Sequence, residues 1–264
     1  MPRPIITCAP LTLAALAVLG GCSYQVLSPP ARMVNLESAR TAAPGETVVG
    51  VHGGGYAAVF DPGVGAGSFG VKRGVTPQVE VGAEASLARV VTDKFPDIDR
   101  NLFAARVGGK LSNEKGWGAL TGGIGGGFAP AAGGFTALDA GAVISYPNCY
   151  LVPFANGTGF ASLPFARKQV DFKDSSGSLA ASDTAHSTLG FGLSAGLEIP
   201  LDRDRCRRGL TPARIQLGAA SYSLFPTDGP IVTTMTRGDG TVTTTERGGH
   251  YTVVGVAAGI ELPF

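Results

Sequence analysis

The chain has 264 residues, 44% of them hydrophobic and only 16% charged, with a formal net charge of +1. That balance argues against a nucleic-acid binder, which would carry a basic stripe, and 40 glycines without a triplet period exclude a collagen-like rod. Beyond the N-terminus no apolar run approaches the roughly 18 residues a membrane-spanning helix needs.

The first 22 residues, MPRPIITCAPLTLAALAVLGGC, hold one Arg, an apolar run, small residues and then Cys22. This order reads as a secretory signal, too short for a membrane span. Leu19-Gly20-Gly21-Cys22 resembles the lipobox of bacterial lipoproteins. The resemblance implies cleavage before Cys22, lipidation of its thiol and amine, and handling by the lipoprotein-sorting machinery. In that family an Asp after the Cys often retains the protein at the inner membrane; Ser23 here leaves the outer membrane open. Residues 1–21 are therefore expected to be a lipoprotein signal peptide. Residues 22–46 are expected to be a lipidated Cys and a flexible tether, because SYQVLSPPARMVNLESARTAAPGE shows no clear period.

From Thr47 the text changes to short alternating runs separated by turn residues. Alternation at period two predicts strands, at 47–60, 66–74, 77–91, 101–112, 117–129, 134–146, 149–163, 186–200, 213–226 and 249–264. Ten is an even number, as in single-chain outer-membrane barrels. The connections near 75, 113–116 and 147–148 are short, whereas those after the third, seventh and ninth runs are long. Such barrels have short periplasmic turns and longer external loops, so the first strand is expected to start at the periplasmic side. The basic turn 201–213 is the exception. In the last long loop, IVTTMTR and TVTTTER flank a Gly-Asp-Gly turn and predict a hairpin that extends the last two strands. The expected fold is thus all-β, an antiparallel up-and-down transmembrane β-barrel over 47–264.

The faces of these runs differ in chemistry. Val79, Val81, Ala83, Ala85 and Leu87 share one face of the third run, and Phe103, Ala105, Val107, Gly109 and Leu111 one face of the fourth. The opposite faces carry Glu80 and Glu84, and Arg106 and Lys110, so acid and base are expected to pair across adjacent strands inside the barrel. Asp139, Glu198 and Glu261 join them as lumen charges, forming either a narrow ion path or a salt-bridged interior. A lipid-facing barrel needs an apolar exterior and tolerates a polar lumen. Alternation alone also fits a soluble lipocalin-like barrel that holds an apolar ligand. The mean hydropathy of +0.20 favours lipid.

The last stretch, HYTVVGVAAGIELPF, places aliphatic residues at every second position before Phe264. It resembles the C-terminal sorting strand of bacterial outer-membrane barrels, which implies the barrel-assembly machinery as a partner and the outer membrane as the location. Chemistry is sparse. His52, His186 and His250 are scattered without ligand spacing, so no metal or cofactor is expected. GGIGGGF at 122–128 lacks the following Lys and helix of a phosphate loop and reads as a strand at a close approach. His250 with Ser221 or Ser223 is the one pairing that mimics an outer-membrane lipid hydrolase, without a third residue to orient it. Cys149 and Cys206 form an even pair for an oxidising compartment. They lie in two turns of one rim, about 10 Å apart by strand spacing, so a disulfide requires the 201–213 turn to fold back. The residues favour a lipid-anchored outer-membrane barrel with a structural or surface-binding role, or slow passage of small solutes. They do not identify a ligand.

Overall fold

The computed structural model describes residues 26–58, 63–91, 101–173, 179–228, 231–236, 242–247 and 250–264. The strands are β1 (Thr47–Ala57), β2 (Gly63–Gly74), β3 (Val79–Val91), β4 (Asn101–Ser112), β5 (Gly118–Ala129), β6 (Gly133–Ser145), β7 (Val152–Phe165), β8 (Gln169–Lys173) and β9 (Leu179–Thr184), then β10 (Thr188–Pro200). A single-turn helix α1 (Arg203–Arg207) precedes β11 (Arg214–Pro226), β12 (Ile231–Thr236), β13 (Val242–Arg247) and β14 (Tyr251–Pro263).

Ten of these strands, β1 to β7 with β10, β11 and β14, form one closed antiparallel barrel. The seam pairs β1 with β14, from Val48 opposite Pro263 to Ala57 opposite Val254. Closure leaves no strand edge unpaired. All ten expected runs correspond to barrel strands, with ends displaced by at most three residues. The Thr-rich segment is a hairpin, β12 with β13, but it forms its own two-stranded sheet and does not lengthen β11 and β14. A second hairpin, β8 with β9, lies in the connection after β7, where the sequence indicates only a long loop. Its strands are short and separated by a Ser/Gly stretch, which leaves too few alternations to register. Strands β9 and β12 pack against each other.

The two rims are unlike. One carries the start of β1, the end of β14 and the turns 75–78, 113–117, 146–151 and 201–213. The other carries the connections 58–62, 92–100 and 130–132 and both hairpins. At the turn rim, Gly116 adopts φ 66°, a left-handed conformation that a side chain disfavours. There the Asn113 side chain accepts from the Trp117 N–H at 2.9 Å and closes the turn. Turn 201–213 forms helix α1, capped by the Asp202 side chain, and brings Cys206 inward.

Alternation sets the two barrel faces. On β14, Val256 is 69% exposed and Glu261 is 0% exposed, so aliphatic residues face out and the carboxylate faces in. Phe69, Leu87, Val107, Ile124, Leu138 and Leu193 continue the outward apolar band around the barrel.

The expected tether at 22–46 is corrected from Val26 onward. Residues 26–46 run through the barrel interior, and Ala31, Val34, Leu36 and Ala39 are almost wholly buried. The segment starts at the loop rim, where Leu27 bridges His186 and the Val26 N–H donates to Asp183 Oδ2 at 2.8 Å. It ends at the turn rim, where the Gly45 N–H donates to the Gly74 carbonyl at 2.8 Å, and continues into β1. The expected signal peptide, residues 1–21, and Cys22 lie outside the described residues.

Candidate functional site: the filled lumen

The interior belongs jointly to the barrel wall and to residues 26–46. Near the loop rim Leu27 packs on a wall cluster of Tyr56, Phe160, Tyr222, Leu224 and Val253. In the middle Ala31, Met33, Val34 and Leu36 meet Ala88, Ala104, Phe135, Ala137, Phe154 and Ala257. Below them Ala39 packs on Ala119 and Val143.

Glycines in the wall make room for this segment. On the inward face of β5, a Cβ at Gly125 would sit 2.7 Å from the Ala31 Cβ, and on β11 a Cβ at Gly218 would sit 2.9 Å from Leu36 Cδ2. The close approach inferred for GGIGGGF is thus, at Gly125, an approach to the lumen segment, whereas Gly123 makes room for the Arg106 guanidinium and Gly127 for the Phe135 ring. No side chain larger than hydrogen fits at Gly125 without displacing the segment.

Several polar atoms of the segment have partners on the wall, although Ser28 Oγ and Asn35 Oδ1 are buried without one. Asn35 Nδ2 donates to Asn156 Oδ1 at 3.2 Å and Thr158 Oγ1 at 3.0 Å, and the Asn35 carbonyl accepts from Ser194 Oγ at 2.7 Å. Ser38 Oγ donates to Glu198 Oε2 at 2.8 Å, and the Ala42 N–H donates to Glu80 Oε2 at 2.7 Å. Such bonds are needed, because an unpaired buried polar group is costly.

The charges form a network around the segment, with Arg106 and Asp139 as a pair apart from it. Arg32 lies 2.5 Å from Glu37 and 3.4 Å from Glu84. Lys110 reaches Glu80 at 3.2 Å and Glu37 at 3.4 Å. Glu261 accepts from Lys72 at 2.8 Å and from Arg214 at 2.5 Å, while Arg214 also reaches Glu198 at 3.4 Å. Asp139 takes both Arg106 Nε and Arg106 Nη2 at 2.6 Å. His52 Nε2 lies 2.9 Å from Gln216 Oε1. The cavity left among these groups measures ≈ 40 Å³, room for a few waters.

All seven acidic and basic residues read as lumen charges, Glu80, Glu84, Arg106, Lys110, Asp139, Glu198 and Glu261, point into this interior. Their pairing differs in part from expectation. Glu84 and Arg106 are directly opposite in register, yet Arg106 bonds Asp139 and Glu84 meets Arg32. Lys72 and Arg214 also belong to the network, and the inward parity of each on its strand is the sequence signal for them. Arg32, Asn35, Glu37 and Ser38 carried no comparable signal, because nothing in the sequence placed them inside a sheet.

Cys149 and Cys206 form a disulfide at the turn rim, with Cα atoms 5.7 Å apart. Helix α1 supplies the fold-back that the bond needs. Arg40 of the lumen segment lies beside it, donating to Cys206 Sγ at 3.2 Å and to the Asn148 carbonyl at 3.3 Å. The His250–Ser pairing is not formed. His250 stacks on Phe225, with ring centroids 5.7 Å apart, and Ser223 Oγ pairs with Thr252 Oγ1 at 2.9 Å. Ser221 takes the outward parity of β11. Phe264 closes the turn rim, its N–H donating to the Thr47 carbonyl at 2.7 Å while its ring is exposed.

No protein-family model matches the sequence, and no curated protein matches it. Among solved structures, the chain is similar to the β domain of the Bordetella autotransporter BrkA, at 11% identity and a TM-score of 0.44 over 84% of this chain and 100% of that one. It is similar to an outer membrane channel from Pseudomonas putida, at 10% identity and a TM-score of 0.43 over 88% and 100%. It is also similar to the Neisserial surface protein A, at 9% identity and a TM-score of 0.33 over 83% and 96%.

Proposed function

We propose that the protein is an integral outer-membrane β-barrel, lipid-anchored through Cys22, that acts as a closed surface structure and not as an open pore. The observation that carries this reading is the inversion of polarity across the wall. Large aliphatic and aromatic side chains are exposed on the outside around the whole barrel, and charged side chains are buried within. A soluble barrel would expose a far larger apolar surface than water tolerates. A closed sheet in lipid satisfies every backbone group internally. Aromatic residues at the rims support the same reading. Trp117 packs edge-on to Tyr146 and Arg203 lies over the Tyr150 ring at the turn rim, while Phe191 stacks on Phe225 nearer the loop rim.

The filled lumen favours a closed barrel over a channel. Residues 31–39 are buried inside the barrel and pack on the wall in successive clusters, and the cavity among the lumen charges measures ≈ 40 Å³. The same filling argues against a carrier for an apolar ligand, since the interior apolar clusters are already completed by the segment itself. Slow solute passage requires residues 26–46 to leave their wall partners.

The experiment is alkaline extraction of outer membranes bearing the Cys22→Ala variant, with gel mobility read before and after heating. The variant has no lipid, so an integral barrel stays in the membrane pellet and shows a heat-modifiable band. Release into the soluble fraction would leave only the lipid as anchor and would overturn the barrel reading.

A further inference from the structure

We propose that the lumen segment carries the N-terminus outward through the barrel, so that the lipid on Cys22 is inserted in the outer leaflet of the outer membrane at the cell surface. This rests on the lipoprotein reading of Cys22 and adds its sidedness.

The rim holding the start of β1 and the end of β14 has the short turns, and the opposite rim has the long connections and both hairpins. In an outer-membrane barrel the first is periplasmic and the second external. Residues 44–46 are at the first, bound to Gly74 and, through Glu46, to Arg205 at 2.5 Å. Residues 26–28 are at the second. The Ser28 N–H donates to the His186 carbonyl at 3.1 Å, the His186 N–H donates to the Val26 carbonyl at 2.8 Å, and Val26 is held by Asp183. Chain polarity therefore runs from outside inward through the lumen, then turns back into β1.

Reach fixes the anchor. Four residue steps separate Cys22 from Val26, which at ~3.5 Å each span at most about 14 Å. The apolar band of such a barrel is ~25 Å tall. From the external rim Cys22 therefore cannot reach the periplasmic leaflet, whatever path residues 23–25 take. The chemistry at Cys22 balances without a further oxidant. The thiol loses its proton as sulfur bonds a glyceryl carbon of a phospholipid, the phosphate headgroup leaves with its electron pair, and water then hydrolyses the Gly21–Cys22 peptide bond.

One consequence concerns assembly. A diacylglyceryl group cannot be drawn through a lumen in which residues 31–39 are already buried against the wall. The segment must therefore be in place before the β1–β14 seam closes around it.

Single cysteines labelled with a membrane-impermeant maleimide test the sidedness, with the modified peptide identified by mass. The native Cys149 and Cys206 are joined and do not react. Tyr24→Cys is the probe, Arg167→Cys marks the loop rim and Lys115→Cys the turn rim. The expected result is that Tyr24→Cys and Arg167→Cys label in intact cells and Lys115→Cys only after permeabilisation. Tyr24→Cys behaving like Lys115→Cys, or Lys115→Cys labelling in intact cells while Arg167→Cys does not, overturns the proposal. Incorporation of an alkyne fatty acid, lost in Cys22→Ala, is read separately. If the wild type takes up none while Tyr24→Cys labels in intact cells, the outward threading stands and the lipid is overturned.

Discussion

Arg32, not the cross-strand Arg106, is the cation that meets Glu84: its Nε lies 3.4 Å from Glu84 Oε2. Arg106 sits opposite Glu84 in the β3–β4 register, but its guanidinium lies across β5 and binds Asp139 on β6 with two bonds. Gly123 permits that crossing, since a Cβ there would come within 2.5 Å of the guanidinium. The lumen segment thus supplies a counter-charge that the wall does not.

Removing Arg32 is expected to cost more than a wall contact of the same size. Arg32→Met leaves Glu84 and Glu37 buried without this partner, a loss of about 3 kcal/mol for a broken buried pair. A double-mutant cycle on unfolding in detergent reads it. Arg32→Met with Glu84→Gln should show coupling, whereas Arg106→Met with Glu84→Gln should be additive. Coupling in the second cycle and not the first would contradict this arrangement.

Gly123 should resist substitution while an outward glycine does not. Gly123→Ala pushes the Arg106 side chain off Asp139 and overpacks the lumen, with an expected cost of about 1–3 kcal/mol. Gly65→Ala is the comparison, because a Cβ there meets nothing within 4 Å. The heating temperature at which the folded gel band is lost should fall for the first and stay for the second. Equal temperatures would mean that Arg106 does not cross β5.

The Cys149–Cys206 bond closes a sequence separation of 57 residues. Replacing both cysteines with Ser should lower unfolding stability by ~2–4 kcal/mol, mostly through the freed unfolded chain. The fold should persist, since α1 keeps its Asp202 cap and the turn keeps the bond from Thr211 N–H to Glu46 Oε2. Peptide mapping without reduction checks the bond itself, and alkylation of both residues would show it absent.

The barrel was legible because each strand has two unlike solvents, so Val254, Val256 and Ile260 alternate with Val253, Gly255 and Glu261 along one run. The lumen segment was not, for the complementary reason. A chain surrounded on all sides by wall has no outward face, so Ala31-Arg32-Met33-Val34-Asn35-Leu36 is buried throughout and shows no period. Its Pro, Ser, Glu and Arg look like those of a solvated linker until the wall supplies Glu84, Lys110 and Glu198. Parity put Glu84 and Arg106 in the same interior, but partner choice depends on Gly123 and Arg32, which lie elsewhere in the sequence.

Residues 26–46 occupy the lumen of the barrel. Ion conductance across planar lipid bilayers containing the heat-modifiable, folded protein tests this most directly. The wild-type protein is expected to insert and remain electrically silent, because buried residues 31–39 fill the interior and the charges around them are paired. Steady ohmic open-channel currents from the folded wild type would contradict it.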